Sequence, residues 1–392
     1  MILKPLYENS QANRAVPFAL RALYENDFTG VNISADVKEK AILGSEFFKK
    51  RYDEGRLFPK LECAFSEIDM DEDLTVHNYT GQCPVQTFEL NPVKGCNVGC
   101  AYCLANDGVH EDVVVVYKNY HEFALKKLEE QRHEEHYYYY SPKTEAFCEA
   151  TLQTGIAHKI LWAFIEHFER FPDSKARLFI ASKSGAAALR YKYGGDSIID
   201  LFKKLHGKMQ FNTSLSIFPD GAIGHIEPYA CGLTDRLEAV RLCRENGVAA
   251  ESALIQPILI NILSDELLDE FFVLLSRYGI VNIKPEFLTA CVENMALMAQ
   301  MLESFKKDIF KEIFEIWFRE DNLGHIKQRG RTAPPRELSV YWIKKMQIAA
   351  ERYGISTSIC FWVREQLGVG EDDIPIINRN GYKCLGYQTR LF

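Results

Sequence analysis

Three cysteines at C-x3-C-x2-C spacing, Cys96, Cys100 and Cys103, are the residues of this chain best placed to do chemistry. They lie in Asn91-Pro92-Val93-Lys94-Gly95-Cys96-Asn97-Val98-Gly99-Cys100-Ala101-Tyr102-Cys103, directly after the apolar-alternating stretch Val85–Leu90. Gly95 and Gly99 interleave with them and let the backbone fold tightly around a bulky object. Thiolates are the usual ligands of a four-iron, four-sulfur cube. Three of them hold three corners, and the fourth iron is left open to something that is not protein. On spacing alone two other readings stand beside this one. Zinc takes four protein ligands in structural sites and three in catalytic ones, and Cys83 or His110 would complete such a set at unusual spacing. Three packed thiols holding no metal also satisfy the pattern.

Strands and helices alternate from Val85 onward, and these must position the cysteines. Strand-like stretches are Val85–Leu90, His136–Ser141 with its four tyrosines, Ala176–Ala181, Met209–Ile217, Val248–Ile258 and Val281–Phe287. Helical periodicity covers Tyr117–Arg132, Thr154–Phe168, Ser197–Leu205, Thr234–Asn246 and Asp265–Arg277. Thr234-Asp235 and Gly247 suit the start and the end of the fourth of these helices. Six strand–helix repeats imply parallel strands joined by right-handed crossovers, hence an α/β open or closed barrel. Such barrels gather chemistry at the C-terminal ends of their strands. The cysteine loop leaves the end of the first one.

The expected organisation is a core barrel over 85–290 between two mainly helical extensions. Residues 1–84 carry helical patterns at Ala15–Tyr24 and Ala35–Arg56, and an acidic run, Glu67–Asp73, that reads as a solvated loop. Residues 291–392 read as a capping or substrate-binding region, with a long helix over Leu297–Phe318 and another over Pro335–Tyr353. A formal charge of −8 over 392 residues supplies no global field for nucleic acid. The N-terminus lacks a signal-peptide pattern, and no apolar run is long enough to span a bilayer. With eleven cysteines, an odd count, the expectation is a cytoplasmic protein with reduced thiols and no membrane partner.

The run Cys96–Cys103, with an aromatic just before its third cysteine, resembles the signature of the radical S-adenosylmethionine (SAM) superfamily. The resemblance implies a [4Fe-4S] cluster on Cys96, Cys100 and Cys103, with SAM chelating the open iron through its amino and carboxylate groups. It implies an external electron donor such as flavodoxin or ferredoxin, reductive cleavage of SAM to a 5′-deoxyadenosyl radical, and abstraction of a substrate hydrogen. The family typically uses a partial (β/α)6 barrel, which matches the repeat count. The series Ala181-Ser182-Lys183-Ser184, Asn212–Ser216, Ile226-Glu227-Pro228, Arg236–Val240, Glu245-Asn246-Gly247 and Gln256-Pro257-Ile258 resembles, in that order, the spore photoproduct lyase-like branch. It covers 85–290.

Several roles follow from that branch resemblance. Lys183 takes the place of the SAM-carboxylate contact, and a lysine at a strand end suits that task. Ser214 and Ser216 share one strand face and are candidates for the ribose or carboxylate. Tyr102 borders the adenine. Glu227 and Arg236 form a structural pair beneath SAM. The family reads the methionine amine through a Gly-Gly-Glu-like stretch; Ser141-Pro142-Lys143-Thr144-Glu145 lacks both glycines, leaving Thr144 or Glu145. Photoproduct lyases return a hydrogen atom from a cysteine near the end of the second strand. Here that place is Tyr138–Pro142 and the nearest cysteine is Cys148, so Tyr140 and Cys148 are the candidate donors. This departure weighs against thymine-dimer repair. A peptide, a nucleoside or a small metabolite is the expected substrate, with DNA open but not favoured. A second cluster on Cys360 and Cys384 lacks further ligands at suitable spacing. The rival is a zinc-clipped peptide- or nucleic-acid-binding protein without SAM chemistry.

Overall fold

Seven parallel strands lie side by side in sequence order: β1 (Thr87–Leu90), β2 (Tyr137–Tyr140), β3 (Arg177–Ser182), β4 (Met209–Leu215), β5 (Ser252–Ile258), β6 (Asn282–Phe287) and β7 (Ser356–Thr357). The computed structural model describes residues 28–53, 64–70, 77–78, 87–96, 98–103, 113–219, 221–227, 229–303, 305–319, 322 and 331–359. A two-residue strand, His77–Asn78, pairs antiparallel outside β1. Helices fill the crossovers: α2 (Tyr120–Glu130), α3 (Ile156–Arg170), α4 (Ile198–Lys204), α5 (Leu233–Glu245) and α6 (Asp265–Arg277), preceded in the chain by α1 (Ala35–Asp53). Strands that add one after another in a single direction make a singly wound sheet, the open form of a β/α barrel.

The side chains show that the sheet curls. Leu254 on β5 shares a buried cluster with Tyr137 on β2 and Phe179 on β3, skipping β4. Their neighbours on the other face, such as Tyr138, Ile180, Ala253 and Ile255, belong to the large core beneath the helices. Both faces of the strands are therefore covered, as parallel sheets require. The architecture is an α/β partial barrel.

Several helix boundaries differ from the sequence expectation. The helix expected over Leu297–Phe318 is two helices, α7 (Val292–Leu302) and α8 (Ile309–Trp317). The Glu303 carboxylate accepts from the backbone N–H groups of Asp308 (2.7 Å) and Phe310 (2.9 Å), so it satisfies donors at the start of α8. Helix α5 starts at Leu233, not at Thr234-Asp235; the Gly232 carbonyl already accepts from Arg236 N–H at 3.1 Å. Helix α4 starts at Ile198, one residue after the expected start, with Ser197 as its N-cap in a capping box with Asp200.

The flanking regions touch the barrel and each other. Helix α1 packs on α7 so closely that a Cβ on Gly44 would lie 2.7 Å from Glu293 Cβ. Helix α9 (Arg336–Glu351) packs on α6 and leads into β7, which continues the sheet beside β6. A small sheet, missed from the sequence, joins Ala64–Ile68, Val113–Tyr117 and Val93–Lys94. The run Val113-Val114-Val115-Val116 was its signal, since β-branched residues favour strands. This sheet fixes the entry to the cysteine loop. The expected helix at Ala15–Tyr24, and Cys63, Cys83, His110, Cys360 and Cys384, lie outside the described residues.

Candidate active site

The cysteine loop is held from both ends. Val93–Lys94 pairs with Val115–Val116 just before Cys96. After that, Ala101 N–H donates to the Ile226 carbonyl at 2.9 Å, and Tyr229 N–H donates to the Val98 carbonyl at 3.2 Å. Gly95 and Gly99 adopt φ of +84° and +72°, which an L side chain would resist. Cys96 and Cys100 are buried, Cys103 is partly exposed, none of the three is in a disulfide, and all line one cavity of about 250 Å³. Burial drives the Cys96 thiol well above its ordinary value. Burial also pushes Cys100 up to about 12, against the pull of the Lys183 ammonium. Among the described residues no three His, Cys, Asp or Glu side chains form a group able to hold a single metal ion.

Beside the cysteines sits a fully buried carboxylate. Glu227 accepts from Lys183 Nζ (2.8 Å), Ser216 Oγ (2.7 Å), Tyr102 Oη and Arg236 Nη2. Burial alone would raise its pKa; Arg236 and then Lys183 outweigh that and hold it well below the usual carboxylate range. Arg236 is fixed in turn by the carbonyls of Cys231 (2.7 Å) and Ser214 (3.0 Å). Lys183 Nζ also donates to Tyr102 Oη at 2.5 Å and lies 5.1 Å from that ring's centroid. The network ties the aromatic between two cysteines to the ends of β3 and β4.

A second carboxylate closes the wall by β2 and β3. Glu145 accepts from Lys183 N–H (2.7 Å), Ser184 Oγ (3.0 Å), Phe147 N–H (3.2 Å) and Ser182 Oγ. Next to it, Thr144 Oγ1 is buried in the cavity lining without a hydrogen-bond partner. An orphaned polar atom there calls for a ligand that can hydrogen-bond.

The residues singled out from the sequence divide in two. Cys96, Cys100, Cys103, Tyr102, Lys183, Ser214, Thr144 and Glu145 line the same cavity. Ser216 lies one residue past the end of β4 and outside the lining, its hydroxyl engaged by Glu227 and the Gln256 carbonyl (3.1 Å). Tyr140 lies outside the lining: its hydroxyl donates to the Ala146 carbonyl at 3.2 Å and its ring packs on Phe147. Strand alternation puts Tyr139 on the cavity wall instead. Cys148 is buried behind the wall, its thiol pushed up to about 12 by burial. The cavity also takes in Gln256, Glu286, Phe287 and Thr289, near the ends of β5 and β6. Glu286, at the C-terminal end of the strand-like stretch Val281–Phe287, was the sequence signal for part of this wall.

The donor set suits an iron–sulfur cube with SAM. Three thiols face one cavity, two of them so buried that only a bound cation would hold them as thiolates. The same cavity offers a lysine, a serine and an unsatisfied threonine hydroxyl to a polar ligand. No family model matches this chain, and no curated protein matches its sequence. Among solved structures, the radical S-adenosylmethionine methyltransferase TsrM from Kitasatospora setae, bound to tryptophan substrate and a SAM analog, superposes with TM-score 0.38 at 13% identity. That match covers 59% of this chain and 42% of the other, so the chain spans less than half of that structure. Methylornithine synthase (PylB) superposes with TM-score 0.36 at 8% identity, over 89% of this chain and 85% of that one.

Proposed function

We propose that this protein is a radical SAM enzyme of the spore photoproduct lyase-like type. The carrying observation is the convergence of Cys96, Cys100, Cys103, Lys183 and Ser214 on one cavity at the C-terminal ends of parallel strands. Cys96, Cys100 and Cys103 would hold a [4Fe-4S] cluster. When bound, cluster and SAM together supply a 5′-deoxyadenosyl radical that removes a hydrogen atom from substrate. The chain's own part is to bind, orient and shield. Lys183 would meet the SAM carboxylate, Thr144 and Glu145 its amine, and Ser214 its ribose. Glu227 keeps Lys183 and Tyr102 in place, while the small sheet and the backbone of Ile226 and Tyr229 hold the cysteine loop. Electrons would come from a flavodoxin- or ferredoxin-like donor.

Anaerobic reconstitution with iron and sulfide should give broad visible absorbance. With SAM and dithionite the protein should release 5′-deoxyadenosine. The triple variant Cys96→Ala, Cys100→Ala, Cys103→Ala should lose both signals and keep its far-ultraviolet circular dichroism. Retention of 5′-deoxyadenosine formation by that variant would refute the reading.

A further inference from the structure

Three charged side chains sit against the cysteine loop, and their charges do not cancel. Glu227 lies between two backbone ties to that loop. The Ile226 carbonyl accepts from Ala101 N–H and Tyr229 N–H donates to the Val98 carbonyl, one tie on either side of Cys100. The Glu227 carboxylate is fully buried, Arg236 is 2% exposed and Lys183 15% exposed. Glu227 Oε2 accepts from Arg236, and Oε1 accepts from Lys183 at 2.8 Å and from the hydroxyl of Tyr102, two residues beyond Cys100. One carboxylate between a guanidinium and an ammonium leaves a net positive charge. Burial is the largest influence on the Cys100 thiol; Lys183 and Arg236 then favour its thiolate and Glu227 opposes it. Replacing a buried ion pair by well-packed apolar side chains is often neutral or stabilising, so stability does not by itself account for this arrangement.

We propose that Lys183, Glu227 and Arg236 together set the reduction potential of the iron–sulfur cluster on Cys96, Cys100 and Cys103, their net positive charge making it easier to reduce. The inference rests on the radical SAM reading, which uses these residues only for binding and support. A doubly positive [4Fe-4S] core bound by three thiolates carries one negative charge, and one electron from the external donor raises that to two. No bond forms or breaks, and the donor is oxidised by the same electron. Adding negative charge where water is excluded is disfavoured, and a net positive charge nearby offsets it. Net charge around a cluster is one of the levers that fix its potential. Glu227 works against the two cations, so each of the three has a sign that can be read separately.

The test is a mediated redox titration of the anaerobically reconstituted full-length protein, without SAM, followed by the electron paramagnetic resonance of the reduced cluster. Lys183→Met and Arg236→Met each remove a positive charge and should lower the midpoint potential. Glu227→Gln removes the negative charge and should raise it. Each shift should be about tenfold or more in the reduction equilibrium, which is about 59 mV for one electron. Loosened packing acts differently: it lets water in, which eases reduction and raises the potential in all three variants. Lys183 is the most exposed of the three, so Lys183→Met carries the test if the buried variants do not fold, and Lys183→Arg should restore the wild-type potential. A rise or no shift in Lys183→Met overturns the proposal, as does a fall in Glu227→Gln. A wild-type protein that assembles no cluster on these thiols would overturn the radical SAM reading and this inference with it. A cluster whose potential ignores the three charges overturns the inference alone.

Discussion

Glu227 and Arg236 form an ion pair in which neither side chain is more than 2% exposed. The carboxylate belongs to the segment that anchors the cysteine loop, and the guanidinium to the first turn of α5. Their contact joins the loop to the helical layer, and Lys183 and Tyr102 complete the arrangement from β3 and from the loop itself.

Removing one partner strands a buried charge. Arg236→Met and Glu227→Met should each destabilise the fold by about 3–5 kcal/mol. Urea unfolding of both single variants and of the double variant Glu227→Met/Arg236→Met should show a loss in the double that is smaller than the sum of the singles. Simple additivity would mean that the pair is not coupled.

Glu145 accepts three donors at Oε1 and the Lys183 N–H at Oε2, so both oxygens are in use and Oε2 keeps one lone pair for the SAM amine. In Glu145→Gln an amide NH2 must confront donors in place of one oxygen. Stability should fall by about 1–3 kcal/mol. SAM affinity, read by calorimetry, should fall with it, because Glu145 also positions the Lys183 backbone. Unchanged affinity would separate Glu145 from the SAM-binding wall.

His167 is buried on α3, with Nε2 2.8 Å from Ser174 Oγ. Burial pushes its pKa down to about 4, with Arg170 adding to that and Glu129 opposing it. The unfolded chain takes up this proton near pH 6.5 and the folded chain only near 4. Stability should therefore fall as pH drops from about 6.5 to 4 and then level off for this group, by about 3 kcal/mol in all. His121, His136 and His158, all lowered chiefly by burial, act in the same direction. Urea midpoints measured across that range should show a shallower slope for His167→Gln than for the wild type.

The chemistry of the loop was legible in the sequence because it is local. Three cysteines within eight residues, with glycines where the backbone turns to positive φ, need no distant partner to be recognised. The βα alternation was legible for the same reason: each strand and helix announces its own period, and Asp265–Arg277 has the bounds that its pattern indicated. Only the tertiary structure decided which side chains share a cavity. One residue of register along β2 separates Tyr139 on the wall from Tyr140 behind it, and four identical tyrosines carry no mark of which face is which. Glu227 gathers donors from 102, 183, 216 and 236 because the chain returns to one place from four elements. Composition and periodicity record what each segment prefers. Which charges end up facing one another depends on how the sheet curls, and that is settled by packing between residues far apart in sequence.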